Sequence, residues 1–481
     1  MSTYVILTAG LIAVWLIAFY TNGKEIMSPA SVVVGMFLFT AALCIYGYGS
    51  WNKIILSFDS ICIVLIGCLS FVFGCACVYN TSLGSRITFR RHTEKKEAFP
   101  VRIAPWKLAV LFLGLIVIAY IRVRSMHRLA AADKQIFTGI IELSKWYREK
   151  YSRLFGSGTV LVGVGETFIE KQILRFATVI SNTAVITLLI GIYKKNKKTT
   201  WLSVALLLLY TVYNVTNGGR ATVLFKLLAI VYGIYVLQLK KGKSIRQINK
   251  RFVVIGIILV LIGLPVFYYS SALVGRKSNS NIMEYLSFYV GCGIPSMEMM
   301  LDAGIAGHMI GKNVFHGIYT LLYKVRILGE LDGFANEWVT LGSYQSNVFT
   351  AWYRYYADFG LIGTIVFPFL LGVFFTYLFK KVKETDSLFY WTIFCSWCHV
   401  LFDLNRDEYL FGQFLGTAPL INLTLTILFV YLVCLPAGKA IQFNTNVAGE
   451  GSPPASKREG YLKRIHHGLR PEKIRFHSAE E

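Results

Sequence analysis

Apolar runs alternate with short polar segments along almost the whole chain, and most runs approach the about 20 residues needed to cross a hydrocarbon core. They fall near 3–20, 28–48, 57–79, 106–122, 172–192, 201–216, 221–239, 252–273, 359–379, 387–403 and 419–438. Soluble-type strand alternation is absent, so the runs read as helices, which satisfy their own backbone hydrogen bonds in lipid. The pattern predicts an all-α, polytopic integral membrane protein with about 11 (11–12) transmembrane helices. The first run has no basic region before it and no small-residue cleavage site, so it reads as a retained helix.

Residues 1–440 read as one transmembrane domain, with long loops at about 123–171 and 272–350. The loop 272–350 contains two semi-apolar pieces, 282–290 and 314–328, expected as short helices lying over the bundle. Apolar spacing in 136–147 predicts a helix lying at the membrane surface. Residues 441–481, with a Gly-Ser-Pro-Pro-Ala-Ser stretch and scattered charges, read as a basic flexible tail.

Charge orients the bundle. Arg86 to Lys96, Lys194 to Lys198, Lys240 to Arg251, Lys380 to Lys383 and the tail after Lys439 all fall on one side of an eleven-span arrangement. By the positive-inside rule that side is the cytoplasm, which puts 123–171 and 272–350 outside. The segment 122–153 is basic and lies on the outer side, where long loops obey the rule only weakly.

Composition agrees: 55% of residues are hydrophobic and only 16% charged, too few charges to cover a soluble protein of this size. The net charge of +23 sits in short inter-span loops, so it reflects topology and not nucleic-acid binding. Eight of the nine cysteines fall within apolar runs, where they behave as small hydrophobes. Cys395-Ser-Trp-Cys398 has metal-like spacing but no second pair. No histidine cluster has ligand spacing, and no phosphate loop or Gly-x-Ser-x-Gly elbow occurs, so no metal or cofactor is expected.

A small set of charges remains at the outer ends of the runs: Arg220, Arg276, Arg354, Asp358, Asp403, Arg406, Asp407 and Glu408. Charges in such places are costly unless they pair or face water, which makes them functional candidates. Arg220 follows Asn217-Gly-Gly219 at a helix start, where it either holds an anion or snorkels to head groups. Arg354 and Asp358 are four apart, the spacing of a local ion pair as well as of a site. The run Asp403-Leu-Asn-Arg-Asp-Glu408 reads equally as a structural network or as catalytic groups. Around Arg354 lie Asn347, Trp352, Tyr353, Tyr355 and Tyr356, whose rings suit either a sugar platform or an interfacial belt. His308, His316 and His399 read as structural.

The segment Ser346-Asn-Val-Phe-Thr-Ala-Trp-Tyr-Arg-Tyr-Tyr-Ala-Asp-Phe-Gly-Leu-Ile-Gly363 resembles the Asn-Val-(Tyr/Phe)-Thr…Tyr-Tyr-x-Asp-Phe-Gly-Leu-(Ile/Leu)-Gly pattern of bacterial O-antigen and capsule repeat-unit polymerases of the Wzy type. Thr216-Asn-Gly-Gly-Arg-Ala-Thr-Val-Leu-Phe225 is similar to a Gly-x-Arg helix start in the same family. With the hydropathy pattern, the resemblance covers roughly residues 200–440. It implies a membrane-embedded polymerase or ligase architecture of the GT-C-like kind in the bacterial inner membrane, with its active site facing outward. It implies a glycosyltransferase that moves a glycan from polyprenyl pyrophosphate onto a new lipid-linked repeat unit. A chain-length regulator and a flippase would be its partners, together with membrane lipid. In that setting Arg220 and Arg354 would clamp the pyrophosphate, supported by Arg276 and Arg406, and Asp358, Asp403 or Asp407 would serve as base. An O-antigen ligase of similar architecture and a lipid-linked oligosaccharide transporter are the alternatives. Phe367 and Phe369, deeper in the same run, are expected only to face lipid or neighbouring helices.

Overall fold

A computed structural model describes residues 1–80, 99, 101–155, 167–216, 220–273, 281–304, 310–329, 338–408, 410–414 and 416–434. The elements, in chain order, are α1 (Ser2–Thr21), α2 (Pro29–Gly47), α3 (Phe58–Asn80), α4 (Pro105–Ala132), α5 (Ile140–Phe155), α6 (Phe168–Tyr193), α7 (Lys197–Thr216) and α8 (Arg220–Lys240). They continue with α9 (Ile245–Leu273), α10 (Ile282–Gly291), α11 (Gly293–Asp302), α12 (His316–Lys324), β1 (Val339–Leu341), β2 (Tyr344–Ser346), α13 (Ala351–Glu384), α14 (Leu388–Trp397) and α15 (Val400–Asp403). A π-helical turn, Leu410–Phe414, and α16 (Thr417–Cys434) complete the described residues. Among the described residues eight helices, α1–α4, α6, α8, α9 and α13, contain segments long and apolar enough to cross a membrane. The protein is a multi-pass, all-α membrane protein.

The helix starts follow from local sequence. Ser28 caps α2 through the Ser31 amide and Pro29 presets the first turn. Thr167 with Glu170 and Asn281 with Glu284 form capping boxes for α6 and α10.

The spine of the bundle is α3 against α13, running parallel. Ser70 donates to the Ile365 carbonyl at 2.5 Å and Cys75 Sγ lies 3.5 Å from the Gly372 carbonyl. A Cβ on Gly74 would overlap the Phe369 carbonyl, and one on Gly372 the Phe71 carbonyl. Small residues at such crossings let backbones approach where lipid offers no hydrophobic drive to helix association.

One end of the bundle is stitched by lysines that donate to the last carbonyls of neighbouring helices. Lys380 reaches Val78 at 3.1 Å, Lys240 reaches Thr385 at 2.6 Å, and Lys107 reaches Leu432 at 2.7 Å. This satisfies orphan carbonyls and complements the negative helix ends. Lys383 pairs with buried Glu25 at 2.5 Å and Lys240 with Asp386 at 2.7 Å. Lys241 Nζ lies 5.1 Å from the Tyr193 ring centre, so Lys194 and Lys240, from two of the basic segments, lie at this end with the Lys380–Lys383 run. The Arg86–Lys96 segment and the tail lie outside the described residues.

The structure differs from the sequence reading in four places. The run at 387–403 is not one helix: α14 ends at Trp397 and α15 resumes at Val400. The run opening at 359 belongs to a helix that begins at Ala351 and is broken at Gly360, where φ is 61° and ψ −151°. The 282–290 piece is helical but packs on α2, with Thr40 donating to the Val290 carbonyl at 3.4 Å, and α11 follows it directly. Before α13 stands a small antiparallel hairpin pairing Val339 with Ser346 and Leu341 with Tyr344, strands too short to leave a periodic signal. The helix expected at 136–147 is present as α5, shifted toward its C-terminal side.

Candidate functional site

The end of the bundle opposite the lysines gathers opposite charges. Thr350 starts α13 by accepting from the Tyr353 amide at 3.2 Å, and the Ala351 amide donates to the Leu404 carbonyl at 2.9 Å. The first turns of α13 are thereby fixed beside the 403–408 segment. Asn405, fully buried, donates to Thr40 at 2.7 Å and anchors that segment to α2.

Arg354 is only 2% exposed. Its Nη1 donates to Asn313 Oδ1 at 3.2 Å, its Nε lies 3.6 Å from Asp407 Oδ1, and its guanidinium sits 4.9 Å from the Phe349 ring centre. Asp358, one turn on, accepts from Asn313 Nδ2 at 2.8 Å and from the Asn313 and Val314 amides at 2.8 and 2.7 Å. The i,i+4 spacing thus puts both groups on one face, where Asn313 bridges them.

In the acidic run, Arg406 Nη1 lies 3.3 Å from Asp403 Oδ1, and its guanidinium lies 4.6 Å from the Tyr289 ring centre. Asp403 is buried, and its Oδ2 has no hydrogen-bond partner among the described residues. The Asp407 carboxylate accepts from the Glu408 amide at 2.8 Å and its side chain is 21% exposed. Burial raises the Asp407 carboxyl above its ordinary range, with Arg354 pulling it down. Glu408 accepts from the Tyr355 hydroxyl at 3.1 Å and from the amides of Leu410, Phe411 and Gly412 at 2.8, 2.8 and 2.6 Å. Burial pushes its carboxyl up to about 7 against the pull of those donors. Glu408 therefore caps the π-helical turn and ties it to α13.

The predicted site residues divide. Arg354, Asp358, Asp403, Arg406 and Asp407 converge in one network. Arg276 lies outside the described residues, and Arg220 opens α8 but its side chain is not among those described. Trp352, Tyr353 and Tyr355 are almost wholly buried, so they present no face to a sugar. Trp352 stacks on Phe37 at 5.2 Å and 5°, and Tyr355 on Phe367 at 5.1 Å and 25°. They are packing groups, whereas Asn347 is exposed and Tyr356 half-buried. Phe367, expected to face only lipid or a neighbouring helix, is the hub of a cluster, 5.3 Å from Phe359 and 5.2 Å from Phe411. Arg354 offers almost no surface to a pyrophosphate, and Asp358 already accepts three hydrogen bonds on its two oxygens. Both hold neighbours in place. Asn313 escaped the sequence reading because a neutral amide 41 residues from Arg354 carries no charge signal.

No family model, no curated protein and no solved structure matches the chain.

Proposed function

We propose that this protein is a glycosyltransferase acting on polyprenyl-pyrophosphate-linked oligosaccharides, a polysaccharide polymerase working at the non-cytoplasmic face of the bacterial inner membrane. The observation that carries the reading is the meeting of Arg406, Asp403 and Asp407 with the buried Arg354–Asn313–Asp358 bridge, at the bundle end remote from the lysines. Its further support is the resemblance of 346–363 and 216–225 to repeat-unit polymerases. The sequence-level charge bias puts the lysine-rich end in the cytoplasm, and therefore this network outside.

In the proposed reaction a hydroxyl of the new lipid-linked unit attacks the anomeric carbon of the growing chain. A glycosidic C–O bond forms as the bond from that carbon to the lipid pyrophosphate breaks. Asp407, the partly accessible acid, takes the hydroxyl proton. The departing pyrophosphate keeps the bonding electrons, and Arg406 stabilises its charge. Arg354 acts through Asp407 as a positioning residue, and Asp358 through the 313–314 backbone.

The test is purified protein incubated with one lipid-linked repeat unit, with products resolved by gel. A ladder of chain lengths supports the polymerase. A single transfer onto lipid core makes the protein a ligase, and unchanged substrate under conditions where the protein is folded overturns the enzyme reading.

A further inference from the structure

A second polar layer lies deeper in the bundle and takes no part in the proposed chemistry. Lys226 falls within the apolar helix α8, six residues after its start. Its Nζ donates to Oδ1 of Asn182 on α6. Asn182 is buried, and its Nδ2 lies 3.5 Å from Thr426 Oγ1 on α16, which orients the amide oxygen toward the lysine. Phe225 stacks on buried His399 at 4.2 Å, and His399 and Tyr210 lie within electrostatic reach of the ammonium. Among the described residues no carboxylate pairs with Lys226.

An ammonium among buried side chains, held by a neutral amide and without a carboxylate partner among the described residues, is costly. Two further facts point to an anion as the missing partner. Lys226 is half-buried, whereas Asn182, Tyr210 and His399 beside it are buried. His399 precedes Asp403 by four residues, which sets this layer about 6 Å, one helical turn, below the Asp403–Arg406 pair.

We infer that Lys226, oriented by Asn182, is an intramembrane binding site for a phosphate-bearing ligand, of which a polyprenyl phosphate or pyrophosphate is the lipid form. The site stands whether or not the protein elongates glycans, because it rests on a half-buried intramembrane cation with no carboxylate partner among the described residues and not on the Asp407 chemistry.

The experiment uses the full chain in a neutral maltoside detergent and follows thermal unfolding with farnesyl phosphate, inorganic pyrophosphate or farnesol. Ligand that binds only the folded state raises the midpoint with concentration. Farnesyl phosphate is expected to stabilise the protein, farnesol is not, and Lys226→Met is expected to weaken the phosphate affinity about ten- to hundredfold. Stabilisation by pyrophosphate that Lys226→Met removes supports the same site with free phosphate as its source. An affinity unchanged in Lys226→Met overturns the inference, as does equal stabilisation by farnesol, or no stabilisation by either phosphate. Without ligand, Lys226→Met should be at least as stable as the parent, since it removes a buried unpaired charge. A variant that fails to fold would show that the protein itself satisfies the ammonium, and would equally overturn the inference.

Discussion

Asn313 joins Arg354 to the chain 41 residues upstream, its Oδ1 accepting from the guanidinium at 3.2 Å while its Nδ2 donates to Asp358 at 2.8 Å. One neutral side chain thus fixes a buried cation and a carboxylate on the same face of α13. Asn313→Leu should leave both without this partner and lower stability by about 1–3 kcal/mol, read as a loss of thermal midpoint in detergent. A midpoint equal to the parent's would mean the bridge contributes nothing to the fold.

Asp407→Asn should cut glycan transfer by about 10²–10⁴, because the amide cannot take the acceptor's proton. The protein should still accumulate, since Asn can accept from the Glu408 amide as Asp407 does at 2.8 Å. Initial rates on a lipid-linked repeat unit at matched protein levels check this, and a rate near the parent's would remove Asp407 from the base role.

Gly360 has φ 61° and ψ −151°, a region closed to side chains. Gly360→Ala should cost about 1–3 kcal/mol, lowering the thermal midpoint and displacing the first turns of α13. Gly363→Ala should be at least as damaging, because its Cβ would overlap the Tyr355 carbonyl oxygen. Gly263→Ala on α9, where a Cβ meets nothing within 4 Å, is the control expected to keep the parent midpoint.

The orientation predicts a labelling pattern. Ser343→Cys, exposed between β1 and β2, should react with an impermeant maleimide applied from outside. Lys195→Cys and Lys241→Cys, at the lysine-stitched end, should react only after permeabilisation. The opposite pattern would put the charged network in the cytoplasm and end the proposed reading.

The Phe367 cluster predicts a packing effect. Phe367→Ala should destabilise by about 3–5 kcal/mol, because it opens a hole among Tyr355, Phe359 and Phe411. Phe389→Ala, at a residue 42% exposed, should cost much less, and comparison of the two midpoints checks this.

Hydropathy by itself determined that this is an all-α membrane protein, because spans of about 20 apolar residues have few other folded outcomes in lipid. It also located Lys194, Lys240 and the 380–383 run at a common end, and it picked out Arg354, Asp358, Asp403, Arg406 and Asp407, since charge beside an apolar run stands out locally. Tertiary structure alone decided their roles. Whether Arg354 meets ligand or neighbours depends on Asn313 and Asp407, and whether Tyr355 faces a sugar or Phe367 depends on how α13 folds back after Gly360. Lys226 stands within an apolar helix, and only the folded bundle brings Asn182, Tyr210 and His399 around it. Period and composition report what each segment needs from its surroundings, whereas burial and pairing are set by contacts between segments far apart in the chain.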